Sequence, residues 1–300
     1  MGSALLRYYE GLKIAASIEN QLLFDAFGIG LAGFSFRLLN SAYTGYCIKV
    51  RRSSDDVTSN IGFINGYLNT DDLYLFLGEY SGYVERWYNQ DGSGIDFIQT
   101  TTTAQPRIWN AGTLDTENGK ACLVFSGSQF MSAGDNFGVD IGRNIGGQYV
   151  DGYLSTILGK MNAGSQTFFA KTVYTSASNR IALVDFGDTY LSMLTYNSVT
   201  LTTPNTTTRN LYNFKNEYYN DPCNELYKNG SIASSSAATL IGINSYRYLL
   251  GAYNNATDTG EMLFLNGTIQ EHHIYRVFLT EALPSVADIN TNINSYYSMN

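Results

Sequence analysis

Charge is scarce in this 300-residue chain. Asp, Glu, Lys and Arg make up 15% of it, with 26 acids against 18 Lys and Arg, and the formal net charge is −8. A surface that tracks phosphates needs clustered lysine and arginine. The one compact basic cluster, Lys49, Arg51 and Arg52, is followed at once by Asp55 and Asp56, so nucleic acid is not an expected partner. Cysteine is as sparse. Cys47, Cys122 and Cys223 lie far apart, with no CxxC or Cys/His spacing. That argues against a disulfide framework and a zinc module, and for buried free thiols made in a reducing cytoplasm. No apolar window approaches transmembrane length, so membrane insertion is not expected. The start, MGSALLRYYEGLKIAAS, lacks an apolar core followed by a small-residue cleavage site. No secretory signal is read, and export would need another route such as lysis. GxSxG, P-loop and HExxH patterns are missing.

What is present is apolar and aromatic. Hydrophobic residues make up 44%, including 24 tyrosines, enough for a sizeable core and too many for disorder. With few charges, the surface must be built from Asn, Ser, Thr, Gly and Tyr. That palette is common in carbohydrate binders and in extracellular or virion proteins. At this length one large all-β domain is expected, or two small ones.

The apolar spacing in 4–23 predicts a helix that docks on the domain or on another subunit. FSFRLLNSAY is short and reads as helical, and CIKVRRS alternates as a half-buried strand does. Asn69 and Thr70 are candidate caps for a helix over 71–78, with Asp71 and Asp72 in its first turn and glycines 78 and 82 to end it. From about residue 105, short apolar runs recur between Gly, Asn, Ser and Asp clusters, the pattern of an all-β sandwich. Asn229-Gly230 and Asn266-Gly267 read as hairpin turns. Near the end, Ile289 and Ile293 lie four apart on one face of a predicted helix.

The loop WYNQDGSGIDFIQ, 87–99, combines aromatics, an acid and two glycines. Gly92 and Gly94 allow positive φ, and Asn89 and Asp91 suit Asx turns. The loop is expected to turn the chain, with Trp87 and Tyr88 as partly buried anchors. Trp87, Tyr88, Asn89 and Asp91 are also candidates for the rim of a ligand site. A calcium ion on Asp91 is a weaker option, because no full EF-hand spacing is present; otherwise no cofactor or metal is expected. Tyr246, Tyr248 and Tyr253, in SYRYLLGAYNN, are candidates for stacking on sugar rings. His272 and His273 point to opposite faces of a strand, so one is expected in the core and one at the surface.

Two stretches carry a resemblance. FRLLNSAYTGYCIKVRRSSDD, NIGF, WYNQDGSGIDFIQTTTTAQPRI and ENGKACLVFSGSQFM occur in that order. They resemble the catalytic-domain family of α-L-arabinofuranosidase B, especially its bacteriophage-encoded relatives, which carry RVRRSSD, WYDQSGNG and NQPRI. The stretch from LYKNGSIAS to FLNGTIQEHHIYRVFLTEALPSVADINTNINSYYS is similar to concanavalin A-like, laminin-G-like jelly rolls, which close with G-x-I-x-E-x-x-x-Y. Together they cover roughly residues 23–300. The usual WYDQSGNG departs here, with Asn89 in place of Asp and Asp91 in place of Ser. DFGDTY, 185–190, faintly resembles a stretch near the enzymes' nucleophile, and that alignment puts Tyr190 near where a Glu is needed.

The resemblance implies a concanavalin A-like jelly-roll β-sandwich over 23–300, with 23–104 an extension integrated with the 105–300 sandwich, and 1–22 a helical attachment segment. It also implies a bacteriophage virion spike, fibre or tail protein whose lectin-like head binds host-surface glycan. Such a head attaches to other virion proteins through the N-terminal segment and assembles as a homo-oligomer, a trimer by analogy. The alternatives are a glycoside hydrolase of the arabinofuranosidase type and a structural virion protein without a ligand. A retaining glycosidase needs two carboxyls about 5 Å apart. The candidates are Asp91, Asp96, Asp185, Asp188, Asp221, Glu225 and Glu271; for each, a turn cap or solvated group is the commoner role.

Overall fold

The computed structural model describes residues 21–134, 144–145, 148–162, 164–171, 181–187, 190–194, 200–217, 222, 224–237, 246–255, 257, 259–278 and 282–299. The helix expected over 4–23 falls almost wholly outside this set, as do Asp188, Asp221 and Cys223. The principal elements are α1 (Leu23–Phe27), β1 (Ala32–Ser35), β2 (Ile48–Arg52), β3 (Thr58–Ile61), α2 (Thr70–Leu77), β4 (Gly82–Trp87), β5 (Arg107–Asn110) and β6 (Leu123–Ser126). They continue with β7 (Gln148–Met161), β8 (Gln166–Lys171), β9 (Ile181–Asp185), β10 (Tyr190–Leu194), β11 (Thr200–Pro204), β12 (Asn210–Glu217), β13 (Asn224–Lys228), β14 (Ser231–Ser236), β15 (Asn266–Phe278) and α3 (Val286–Tyr297).

These strands form a jelly-roll β-sandwich. β15 is the spine of one layer. It pairs with β1 and β6, end to end, along one side and with β7 along the other. β12, β13 and β14 extend the layer beyond β7. The facing layer runs β11, β10, β9, β8. It continues through the short strands Leu249–Leu250, Met131–Ser132 and Phe97–Ile98 to β4, β2 and β3. β5 pairs with both β4 and β6 and ties the layers together at one edge.

Alternation on each strand fills the space between the layers. Phe34, Ile48, Val50, Trp87, Phe97, Phe169, Tyr248 and Ile274 belong to this interior. The outer face of the spine layer is covered as well. Val286, Ile289, Ile293 and Tyr297 of α3, with Leu23 and Phe24 of α1, pack on Leu154, Leu158, Leu211 and Tyr275. Each such aliphatic side chain contributes about 1.5–3 kcal/mol by burial. The helix predicted after Asn69 is α2: the Asn69 side chain accepts from Asp72 N at 3.1 Å, and Gly78 ends it at φ 53°.

Three expectations are corrected. FSFRLLNSAY is not helical: it opens in β1, and the rest runs as irregular chain clamped from the side, as shown below. Asn266-Gly267 is not a turn but the start of β15, paired with Ser126 and Phe125. Glycine is needed there because a Cβ would run into the Lys160 carbonyl oxygen. The true two-residue turns include Asn229-Gly230, at φ 50° and 84°, and Asn65-Gly66, at 51° and 80°, both in the geometry these residues favour. Finally, His272 and His273 do face opposite ways, yet both are fully buried, because α3 covers the face that alternation alone would leave to solvent.

Candidate functional site

The 87–99 loop is a clamp. Trp87 is fully buried, stacked on Phe36 with ring centroids 5.1 Å apart. Asn89 is buried too; its Oδ1 accepts from Gly33 N at 2.8 Å and Asp91 N at 3.2 Å. Gln90 is wholly buried: its Oε1 accepts from Leu39 N at 2.7 Å, and its Nε2 donates to the carbonyls of Ser35 and Arg37 at 3.2 and 3.0 Å. The amide side chains thus satisfy backbone groups of 33–39 that no neighbouring strand reaches. Asp91 accepts from Ser93 N at 2.7 Å in an Asx turn, and burial raises its carboxyl. Among the described residues no group of three or more His, Cys, Asp or Glu side chains is placed to hold a metal ion.

The segment so clamped carries Arg37 into a cavity of about 290 Å³, lined by Gln21, Leu22, Arg37, Leu38, Asn65, Gly66, Tyr67, Ser295 and Tyr296. Three elements meet here: the clamped chain, the Asn65-Gly66 hairpin and the last turn of α3. Tyr67, half exposed, stacks on Tyr296 at 5.3 Å with an interplanar angle of 11°. The Arg37 guanidinium carbon lies 5.5 Å from the Tyr296 centroid, and Lys120 Nζ lies 4.0 Å from it. Burial pushes the Tyr296 hydroxyl up to about 12.

Arg37 is fixed from behind. Its Nε and Nη2 donate to the two oxygens of Glu271, both at 2.9 Å, and its Nη1 donates to Asn292 Oδ1 at 2.9 Å. Glu271 also accepts from Ser35 Oγ at 2.7 Å. Burial alone would raise the Glu271 carboxyl, but the Arg37 charge and hydrogen bonds, with a smaller effect of His273, hold it well below the usual carboxylate range. The cavity therefore offers guanidinium, amide, hydroxyl and aromatic groups around a balanced ion pair.

The tyrosines and carboxylates singled out by sequence are mostly elsewhere. Tyr248 and Tyr253 are buried, where no sugar ring could stack on them, and Tyr246 is half-buried. Tyr248 belongs to an interior relay. His272 Nδ1 lies 2.9 Å from the Thr156 carbonyl, which only accepts, so Nδ1 carries the hydrogen. Burial pushes His272 down to about 3, so Nε2 is the acceptor, and the Tyr248 hydroxyl at 2.8 Å donates to it. Tyr88 and Asp91 keep exposed surface; Trp87 and Asn89 do not.

Among the carboxylates, Asp96 accepts from Asn89 N and Arg86, and Asp185 from Gly187 N and Asn205. Glu271 is spent on Arg37. Glu225 accepts from Tyr227, and Lys215 Nζ lies 3.8 Å from Glu225 and 2.7 Å from Glu217. The basic cluster is neutralised in place: Lys49 pairs with Glu85, Arg51 with Asp56 and Arg52 with Asp55. Arg37, Asn65, Tyr67 and Tyr296 were not candidates on sequence. The legible signal was the N-G dipeptide in FINGYL, which marks a hairpin and so an exposed tyrosine beside it.

No protein-family model matches the chain, and no curated protein matches it. Solved structures do. An arabinofuranosidase complexed with arabinofuranosyl-α-1,2-xylobiose superposes with a TM-score of 0.62 at 15% identity, over 91% of this chain and 63% of that one. An α-L-arabinofuranosidase soaked with a cyclic sulfate inhibitor gives 0.62 at 13% identity, over 89% and 62%. The likeness is one of fold. At such identities it says that this chain shares the β-sandwich fold of those enzymes, and it spans less than two thirds of their length. Among the described residues no helix is long and apolar enough to cross a membrane.

Proposed function

We propose that this chain is a glycan-binding β-sandwich, the lectin-like head of a bacteriophage spike, fibre or tail protein that contacts host-surface carbohydrate. The observation that carries the binding reading is the cavity at Arg37, Tyr67 and Tyr296. Tyrosine rings suit the apolar faces of a sugar, and the Asn65, Gln21 and Ser295 side chains suit its hydroxyls. Because Glu271 balances Arg37, the Arg37 charge does not call for an acidic sugar and a neutral one fits. The virion setting rests on the phage-type motifs and the charge-poor surface. In that setting residues 1–22 attach the head to other virion proteins or sister chains, as a homo-oligomer such as a trimer.

The test is a glycan-array screen of the purified chain and of Tyr67→Ala, with arabinofuranoside hydrolysis assayed in the same samples. Binding without turnover, weakened about tenfold or more by Tyr67→Ala, is the expected result; tenfold is 1.4 kcal/mol. Binding that ignores Tyr67 would remove the cavity from the reading. Hydrolysis is the second reading. One observation favours it: Glu217 and Glu225 both lie against the Lys215 ammonium, at 2.7 and 3.8 Å, which keeps two carboxyls close enough to act as a glycosidase pair. Turnover abolished by Glu225→Gln would put that reading first.

A further inference from the structure

We infer that the cavity is one end of a longer site, and that its ligand is an oligosaccharide whose later residues lie across Tyr46 and Tyr88. This rests on the glycan-binding reading. A continuous exposed row leads away from the cavity. Ile64 stands directly opposite Tyr67 in the hairpin, and the two are 46% and 50% exposed. Asn60 lies in β3 and Ile64 in the short hairpin strand Phe63–Ile64, with Gly62 between the two strands; Asn60 and Ile64 are both exposed while Ile61 is buried. Tyr46, 49% exposed, lies over Gly62: its Cδ1 is 3.9 Å from where a Cβ would stand. The ring of Tyr88 is 6.0 Å from that of Tyr46, and its hydroxyl donates to Asn60 Oδ1 at 2.8 Å.

At the rise of an extended strand, Asn60 to Ile64 spans up to about 13 Å, longer than one sugar ring. The row is held in place before any ligand arrives. The Tyr43 hydroxyl donates to the Tyr46 carbonyl at 2.9 Å, and Arg86 lies 5.6 Å from the Tyr88 centroid while bonded to Asp96. Fixed aromatic rings beside an exposed amide match a chain of sugar units. Such a platform loses little entropy on binding.

The experiment titrates the intact chain, by ligand-observed NMR and calorimetry, with three neutral ladders from mono- to tetrasaccharide, built on xylose, galactose and N-acetylglucosamine. In the responsive ladder the tetrasaccharide should bind at least about tenfold tighter than its monosaccharide, or 1.4 kcal/mol. Tyr46→Ala with Tyr88→Ala should abolish that gain and leave monosaccharide affinity unchanged. Tyr46→Ala alone, at an exposed position, should remove part of it and serves if the double variant does not fold. Equal affinity along the ladder, or a gain that survives the replacements, overturns the inference and leaves the cavity reading standing. No binding of any sugar by the unaltered chain overturns the cavity reading itself, and this inference with it.

Discussion

Replacing Arg37 with Met should cost the fold about 3–5 kcal/mol, the range for stranding one partner of a buried ion pair. The structure gives the reason. Glu271 is 1% exposed and each of its oxygens accepts a hydrogen bond from Arg37 at 2.9 Å. Without Arg37 the carboxylate keeps Ser35 Oγ and a His273 Nδ1 at 3.7 Å. Asn292 loses a donor as well. Because stabilities run to about 5–15 kcal/mol, this is a large fraction. Urea denaturation at pH 7, read by fluorescence, measures it. The sharper test adds Glu271→Met. Two apolar side chains in place of a buried pair are often neutral, so the double variant should recover most of the loss. A loss below about 1 kcal/mol for Arg37→Met would refute the account of a stranded charge, and so would a double variant as unstable as the single one.

Acid should destabilise the protein well above the carboxylate range. Burial lowers both His272, to about 3, and His273. Stability is then full above about pH 6.5, the unfolded value, and falls below it as the unfolded state takes up protons first, by about 1.4 kcal/mol per pH unit for His272 and in the same direction for His273. Urea midpoints at pH 7 and 5 check this; a flat profile would contradict it. Glu271 adds its own loss only below about pH 4.3, where the unfolded carboxylate protonates. Gln90→Ala should lower stability by about 2 kcal/mol or more, since it leaves the buried Leu39 N and Arg37 O without a partner at about 1–3 kcal/mol each, while Ser35 O keeps the Cys47 thiol; Asp91→Asn next to it should stay within about 1 kcal/mol. Thermal melts of the two distinguish a clamp from a rim. Gly267→Ala should be far more damaging than Gly230→Ala, because its methyl meets the Lys160 backbone, whereas Gly230 has only Asn290 Nδ2 at 3.6 Å and an αL conformation costing about 1–2 kcal/mol. Soluble yield and melting temperature report the order.

Several features were legible in the sequence because they depend on local chemistry. The strand-and-turn alternation set an all-β chain. Asn69 and Gly78 bounded α2, Asn229-Gly230 fixed a hairpin, and Ile289 with Ile293 marked the buried face of α3. Glycines and short polar side chains in 87–99 showed a loop that holds its own shape. Other features depend on what a segment packs against, which no local pattern carries. The same N-G dipeptide is a turn at 65–66 and strand at 266–267, because only in the second place do β6 and β7 lie on either side. Alternation put His272 and His273 on opposite faces, and only the docking of α3 buried both. Gln90 reads as an ordinary loop amide until the fold brings 33–39 against it. The cavity is the plainest case: residues near 22, 37, 66 and 296 line it. Those stretches are distant along the chain and are joined only when β1 and β15 pair and set Arg37 against Glu271.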